Sequence, residues 1–128
     1  MARKKRSNAL QWVVEELAES DSYFQKAMFG CEAIYLHGRM MVVLADRGKP
    51  DWQGVLLPTA REQHAAIIAD FPALSPHRVL GKWLYLPERH DEFEEVILEV
   101  MACIAEGDSR FGVEPGAPRK RKKAKKAR

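Results

Sequence analysis

The 128-residue chain lacks the features that mark secreted and membrane-spanning proteins. It has two cysteines, Cys31 and Cys103, too few for a disulfide framework. No apolar run approaches the roughly 18–20 residues of a membrane span. The basic start, MARKKRSN, is followed by no apolar signal region. These absences predict a soluble, intracellular protein, which we place in the cytoplasm.

Motifs for metals, phosphates and activated nucleophiles are also missing. The soft metal ligands have no CxxC, HxH or HExxH spacing; they are Cys31, His37, His64, His77, His90 and Cys103. Neither GxxxxGK nor GxGxxG is present. Cys31 follows Gly30 at a strand boundary and can be exposed, but the adjacent Glu32 would raise the pKa of its thiol. We therefore predict no catalytic residues, no metal site, no cofactor and no enzymatic activity.

Acidic residues are absent from both ends of the chain. All 18 Asp and Glu lie between the two ends, together with only nine Lys and Arg, so this body carries a formal charge of −9. The other 12 basic residues form two clusters: Arg3, Lys4, Lys5 and Arg6, and Arg119, Lys120, Arg121, Lys122, Lys123, Lys125, Lys126 and Arg128. Cationic tails on an acidic body indicate short-range electrostatic arms. They argue against a broad DNA-binding face on the folded surface.

These clusters set the predicted domain limits. Residues 1–7 and 111–128 are predicted to be disordered basic arms around one domain, residues 8–110, because like charges repel. The C-terminal arm has no aromatic residue to stack on bases, so it can neutralise phosphates without reading sequence. The 12 basic residues are therefore the candidate nucleic-acid contacts. The alternatives are a solvating tail, or contact with the acidic body, other acidic proteins or membrane phospholipid.

β-rich runs predict the sheet. YFQKAMFG and the two halves of EAIYLHGRMMVVLAD predict three strands, of which the last two flank a tight turn at His37-Gly38. WQGVLLP and VLGKWLYLP predict two more, and the short connections make the sheet antiparallel. In KWLYL, Trp83 and Tyr85 face one side of the sheet and Leu84 and Leu86 the other. One pair should enter the core, and the other should lie under a helix or form a partner-binding patch.

Three helices are predicted to cover this sheet of about five strands. The first lies in LQWVVEELAES, with Ser7 or Asn8 as its cap. The second begins at Thr59 and the third at Asp91, because Glu follows each by three residues in the spacing of a capping box. Gly107 should end the third helix. The fold class is therefore α+β.

The stretch KAMFGCEAIYLHGRMMVVL resembles the N-terminal domain of TfoX/Sxy-type bacterial competence regulators. The matching positions are Lys26, Met28-Phe29-Gly30, Ile34-Tyr35, His37-Gly38 and residues 40–44. The later GKWLYLP strand and the helix after it are similar to those of the related YjbR-like domains. The resemblance implies an antiparallel sheet with flanking helices and no known catalytic constellation. It implies a structural role for Lys26, Met28, Phe29, Gly30, Tyr35 and Gly38, with Gly30 letting the backbone bend and Phe29 packing inward. The helix-rich second domain of those regulators has no counterpart in this sequence.

Together these features predict a non-enzymatic regulatory or binding protein of the bacterial cytoplasm whose tails contact nucleic acid or another polyanion. One alternative is a small-molecule-binding or catalytic domain, with a pocket between sheet and helices near Tyr35, Trp52 or Trp83, and His64. Another is a protein-interaction module that forms a homodimer, or binds a partner, through a sheet edge or an aromatic patch.

Overall fold

A computed structural model of the chain describes residues 8–114. Within them lies a six-stranded antiparallel sheet with the order β1-β2-β3-β4-β6-β5. Its strands are β1 (Phe24–Met28), β2 (Cys31–Leu36), β3 (Arg39–Asp46), β4 (Gln53–Leu57), β5 (Ser75–Pro76) and β6 (Leu84–Pro87). The helices are α1 (His64–Asp70), α2 (Phe93–Ala105) and three 3₁₀ helices, Gln11–Val14, Leu17–Glu19 and Arg61–Gln63. The predicted α+β class is confirmed, with six strands rather than about five.

The predicted N-terminal helix is two short 3₁₀ helices. Its apolar residues Leu10, Val13, Val14 and Leu17 are buried, as their spacing requires. Asn8 Oδ1 accepts a hydrogen bond from the Leu10 N–H at 2.8 Å, and the Val13 N–H bonds the Leu10 carbonyl, three residues back, at 2.9 Å. A helix this short gains little from its own backbone bonds, so packing on the sheet decides its form.

The predicted capping box at Thr59 is wrong. The Thr59 side chain is buried, and its Oγ1 donates a hydrogen bond to the Arg110 carbonyl at 2.6 Å. The following 3₁₀ helix begins after Ala60, which offers no side-chain cap. Thr59 therefore joins two distant chain segments instead of starting a helix.

The third predicted helix is present as α2, but it begins later than its predicted cap. Glu92 precedes the first helical residue, Phe93, and no side-chain hydrogen bond caps this end, so the capping box predicted from Asp91 is also wrong. The far end agrees with the sequence. Gly107 has φ +91°, and its N–H bonds the Ile104 carbonyl at 3.0 Å.

Both faces of the sheet are apolar. Leu84 and Leu86 lie on the helix side, within the main core beneath α2. Trp83 and Tyr85 lie on the opposite side, in a second buried cluster with Cys31, Ala33, Tyr35, Met40, Val43, Ala45 and Leu56. Trp52 and Leu80, from two loops, pack against this second cluster. The predicted alternation is thus correct, and both pairs are buried.

The ordered domain extends beyond its predicted end at Arg110. Phe111 is only 1% exposed, and Val113 forms an antiparallel bridge with Met40 through hydrogen bonds of 2.9 and 3.0 Å. The Gly112 N–H also bonds the Pro58 carbonyl at 2.8 Å. Residues 111–114, assigned to the tail from sequence, are therefore part of the domain. All 12 candidate nucleic-acid contacts lie outside the described residues, and no helix within residues 8–114 is long and apolar enough to cross a bilayer.

Strands β4 and β6 approach each other closely at Gly54, which is paired with Pro87. A Cβ on Gly54 would lie 2.3 Å from the Leu86 carbonyl oxygen and 2.7 Å from the Pro87 Cα. Both atoms belong to the backbone, so a side chain fits here only if the strands move apart.

The Gly54→Ala substitution should therefore destabilise the protein by about 1–3 kcal/mol, the range expected for overpacking a well-packed site. Gly81→Ala is the matched control, since its Cβ would lie 3.7 Å from its nearest neighbour, the His77 carbonyl oxygen. We expect the control to change the free energy of unfolding by less than about 0.5 kcal/mol. Urea denaturation measures both, and equal midpoints would contradict the close contact.

Candidate binding cleft at the root of the C-terminal tail

A cleft of about 580 Å³ opens at the end of the β2–β3 hairpin. Its walls are the 3₁₀ helix Leu17–Glu19, the C-terminal end of α2 and the loop that follows α2. Its apolar lining consists of Leu17, Leu36, Met41, Ile104 and Phe111. The volume falls within the roughly 300–1,000 Å³ of small-molecule sites in proteins.

The rim of the cleft is polar and carries a net negative charge. Its polar side chains are Glu16, Glu19, Ser20, His37, Arg39, Asp108 and Ser109. Three carboxylates and one guanidinium give a formal charge of −2 when His37 is neutral. Glu16 and Glu19 are exposed, and no ion pair within residues 8–114 engages either of them.

Arg39, the cationic group of the rim, fixes the segment that leads into the tail. Its Nη2 donates to the Gly112 carbonyl at 2.7 Å and to the Phe111 carbonyl at 3.4 Å. Its Nη1 lies 3.4 Å from a Glu114 carboxylate oxygen. Together with the Val113–Met40 bridge, these contacts attach residues 111–114 to the start of β3. Residues 111–114, the last that the structure describes, are therefore held beside the cleft.

A second arginine holds the loop behind the cleft. Arg110 Nη2 pairs with Asp108 Oδ2 at 2.8 Å, and Arg110 Nη1 contacts Asp70 Oδ2 at 2.8 Å and the Ala66 carbonyl at 3.2 Å. Hydrogen bonds from Arg110 hold the pKa of the Asp108 carboxyl below its ordinary value of 3.8. The same carboxylates raise the pKa of Arg110. This network joins the loop after α2 to α1.

Asp108→Asn should lower the free energy of unfolding by about 1–2 kcal/mol at neutral pH. This is less than for a fully buried ion pair, because the Asp108 and Arg110 side chains are both partly hydrated. Because folding lowers the pKa of Asp108, its contribution is full above the unfolded value and is lost as the pH falls through the lowered one. The difference between variant and parent in urea denaturation should therefore shrink below pH 3.8.

Asp70→Asn is the control for this pair. The Asp70 side chain is 60% exposed, so its removal should cost less than about 1 kcal/mol. A difference between Asp108→Asn and the parent that stayed constant from neutral to acid pH would contradict the assignment.

Phe29 does not pack inward, so that expectation is wrong. The side chain is 60% exposed, and Phe29 and Gly30 form the turn between β1 and β2 with φ +57° and +77°. Arg47 Nη1 donates to the Phe29 carbonyl at 3.2 Å, which helps to hold this conformation. Gly30 does supply the bend that the resemblance implies. Phe29 occupies a left-handed backbone conformation that costs an ordinary residue roughly 1–2 kcal/mol.

Phe29→Asn should therefore stabilise the protein by about 0.5–1 kcal/mol, because asparagine followed by glycine suits a turn with two positive φ values. Phe24→Asn is the matched control: Phe24 is 55% exposed, but it lies within β1 and its ring packs 5.7 Å from that of Tyr35. The control should lower the melting temperature, and Phe29→Asn should raise it. A decrease of equal size for both would show that the turn is not strained.

The other residues of the suspected family motif lie on the hairpins. Lys26 Nζ is 5.6 Å from the centroid of the Tyr35 ring, and Tyr35 is buried in the second cluster. Met28 is partly buried against the same cluster. His37 and Gly38 have φ +53° and +79°, as a two-residue turn requires, so this predicted turn is confirmed. Of the motif positions, His37 and Met41, which lies within residues 40–44, line the cleft.

Comparisons with protein-family models, with curated proteins and with solved structures find no match for this chain. The resemblance to competence regulators therefore stays a prediction, and function has to be inferred from the residues themselves.

The pocket predicted near Tyr35, Trp52, Trp83 and His64 does not coincide with the cleft. The three aromatic residues belong to, or pack against, the second apolar cluster on the opposite face of the sheet. His64 Nε2 lies 2.9 Å from the Lys82 carbonyl oxygen, so its ring joins two surface segments. None of the four residues lines the cleft.

His77 is buried, but its ring is fully occupied. Nδ1 accepts hydrogen bonds from the Leu80 N–H at 2.9 Å and the Val79 N–H at 3.2 Å. Nε2 therefore carries the proton and donates it to the Asp51 carbonyl at 2.6 Å. The ring also contacts Trp52 and Tyr85 edge-on. His77 thus closes the loop around residues 77–83 and has no free nitrogen for chemistry.

Both cysteines pack with apolar residues: Cys31 belongs to the second cluster, and Cys103 packs against the main core. Cys31 is buried, contrary to the expectation that it can be exposed, and burial is the main cause that raises its pKa. Cys103 is half-buried with a pKa likewise raised by burial, and both thiols are free. Among residues 8–114, no group of three His, Cys, Asp or Glu is arranged to hold a metal ion.

Sequence reasoning did not identify the cleft. Its lining comes from three segments, residues 16–20, 36–41 and 104–111, which span 95 positions from Glu16 to Phe111. The one available signal is Phe111, a large apolar residue in a stretch otherwise read as tail.

Proposed function

We propose that this is a non-enzymatic binding protein of the bacterial cytoplasm that contacts nucleic acid through its basic C-terminal tail. The observation that carries the proposal is the separation of charge. Residues 8–114 contain nine basic and 18 acidic groups, whereas residues 119–128 contain eight basic groups and no acidic ones. The protein thus offers a polyanion one strongly attractive segment.

The folded body is a poor alternative surface for phosphates. Its formal charge of −9 repels a polyanion. Three of its arginines are also already engaged: Arg39 with Glu114, Arg78 with Asp51, and Arg110 with Asp70 and Asp108. Phosphate contacts should therefore come from the tail, with Arg3, Lys4, Lys5 and Arg6 as a second, smaller cluster.

The chemistry of the tail fits binding that is independent of sequence. Lysine and arginine neutralise phosphates and release counterions, which makes the affinity depend strongly on salt. Without an aromatic residue in the tail, base stacking cannot contribute.

The experiment compares the full chain with a variant in which the eight basic residues of 119–128 are replaced by glutamine. Binding to a labelled DNA duplex, measured by fluorescence anisotropy, should weaken at least about tenfold in the variant. For the parent, log K should fall with log salt with a slope of up to about −7 if all eight residues contact phosphates, at roughly −0.9 per contact.

The matched control reverses the order of residues 119–128 and keeps their composition. It should bind like the parent, because the tail reads charge and not sequence. Equal DNA affinity in the parent and the glutamine variant would refute the proposal. Equal binding of the parent to polyglutamate would assign the tail to acidic proteins instead.

A further inference from the structure

The cleft has the character of a binding site for an apolar body. An occupant would lie against Leu36 and Met41 at the end of the hairpin and against Ile104 and Phe111 on the opposite wall. Burying methyl, thioether and ring groups against an apolar ligand contributes roughly 25 cal/mol per Å² removed from water. None of these residues belongs to the tail, so the site is separate from the proposed nucleic-acid contacts.

The charges on the rim indicate the complementary head group. Arg39 already contacts two carbonyl oxygens and Glu114, and Asp108 is paired with Arg110. Glu16 and Glu19, by contrast, are the rim carboxylates with no ion pair among the described residues. The unbalanced charge at the cleft is therefore negative, which favours a cation.

The polar groups at the rim suit binding and not a reaction. Ser20 Oγ lies 2.8 Å from Ser22 Oγ and accepts a hydrogen bond from the Ser22 N–H. His37, the histidine of the rim, is not within hydrogen-bond distance of that hydroxyl. A serine nucleophile needs such a base beside it. The site thus has recognition groups without a nucleophile–base pair.

From these contacts we propose that the cleft binds a small amphiphilic amine. Its apolar body lies against Leu36, Met41, Ile104 and Phe111, and its protonated amine lies at Glu16 and Glu19. This inference goes beyond the proposed function, because it needs none of the basic residues of the tail.

The test uses the full chain and three probes of equal length, n-octylamine, n-octanol and n-octanoate, each below its aggregation concentration. Titration calorimetry should give the highest affinity for the amine, a lower one for the alcohol and the lowest for the carboxylate. Each rim carboxylate should change the affinity by about two- to fivefold. The methyl NMR signals of Met41 and Ile104 should shift on titration. Tighter binding of octanoate, or no shift of these signals, would overturn the proposal.

Two pairs of variants separate the head-group contact from the apolar contact. The double variant Glu16→Gln, Glu19→Gln should reduce the preference for octylamine over octanol to less than about twofold. The control Glu94→Gln, Glu95→Gln makes the same charge change at the other end of α2, away from the cleft, and should keep the preference. Loss of the preference in both pairs would assign it to net charge and refute a specific contact.

The second pair tests the apolar contact. One variant fills the cleft, and the other places the same side chain outside it. Ala105 lines the cleft and is exposed, so the indole of Ala105→Trp should occupy part of the cleft. The affinity for each of the three probes should then fall at least about tenfold. Ala69→Trp puts the same side chain on an exposed position of α1, outside the lining, and should leave the affinities within twofold. Undiminished octylamine binding by Ala105→Trp would place the amine elsewhere and overturn the proposal.

Discussion

The constraint on which the structure depends is that its central strands are buried on both faces. In β3 every residue from Met40 to Ala45 is buried, and β2 is buried from Ala33 to Leu36. A sheet of this kind needs a cover on each side. Helices supply one cover, while the other is built from loops that carry Trp52 and Leu80. The interior is consequently apolar nearly throughout, and the polar groups that could recognise a ligand lie at the edges.

Phe111 belongs both to the main core and to the lining of the cleft. Its burial fixes the chain just before the tail, and the same side chain forms one wall of the cleft. Arg39 acts with it, because it holds the carbonyls of Phe111 and Gly112 from the start of β3. Residues 111 and 112 are therefore held against β3 beside the cleft. The two proposals use different side chains: the nucleic-acid contacts lie in residues 119–128, and the amine site lies in the cleft.

The sequence predicts well those features that depend on neighbouring residues. The His37-Gly38 turn follows from local backbone preferences, the faces of Trp83 and Leu84 follow from strand alternation, and α2 follows from its apolar spacing. Features that depend on a distant partner were missed. The hydroxyl of Thr59 bonds a carbonyl 51 positions away, a partner that local spacing cannot reveal.

Phe29 shows a different limit of sequence reasoning. A phenylalanine between two β-rich runs is expected to pack in the core, and positive φ is rare for such a residue. Here the neighbouring glycine and the Arg47 contact to its carbonyl hold it at the turn, with its ring in solvent. The cleft was missed for a related reason: none of its three segments alone has an unusual pattern. Only the folded arrangement brings Glu16 and Met41 to the same site.

The same arrangement separates buried from exposed titratable groups within residues 8–114. Catalytic groups need perturbed pKa values combined with access to a substrate. Two buried groups of the described residues are used for structure: His77 has both ring nitrogens hydrogen-bonded, and burial raises the pKa of the Cys31 thiol. The groups with access, such as Glu16 and Glu19, are exposed carboxylates whose environment provides charge and little else. A surface with accessible charge beside an apolar cleft can select a ligand by its head group and its apolar body.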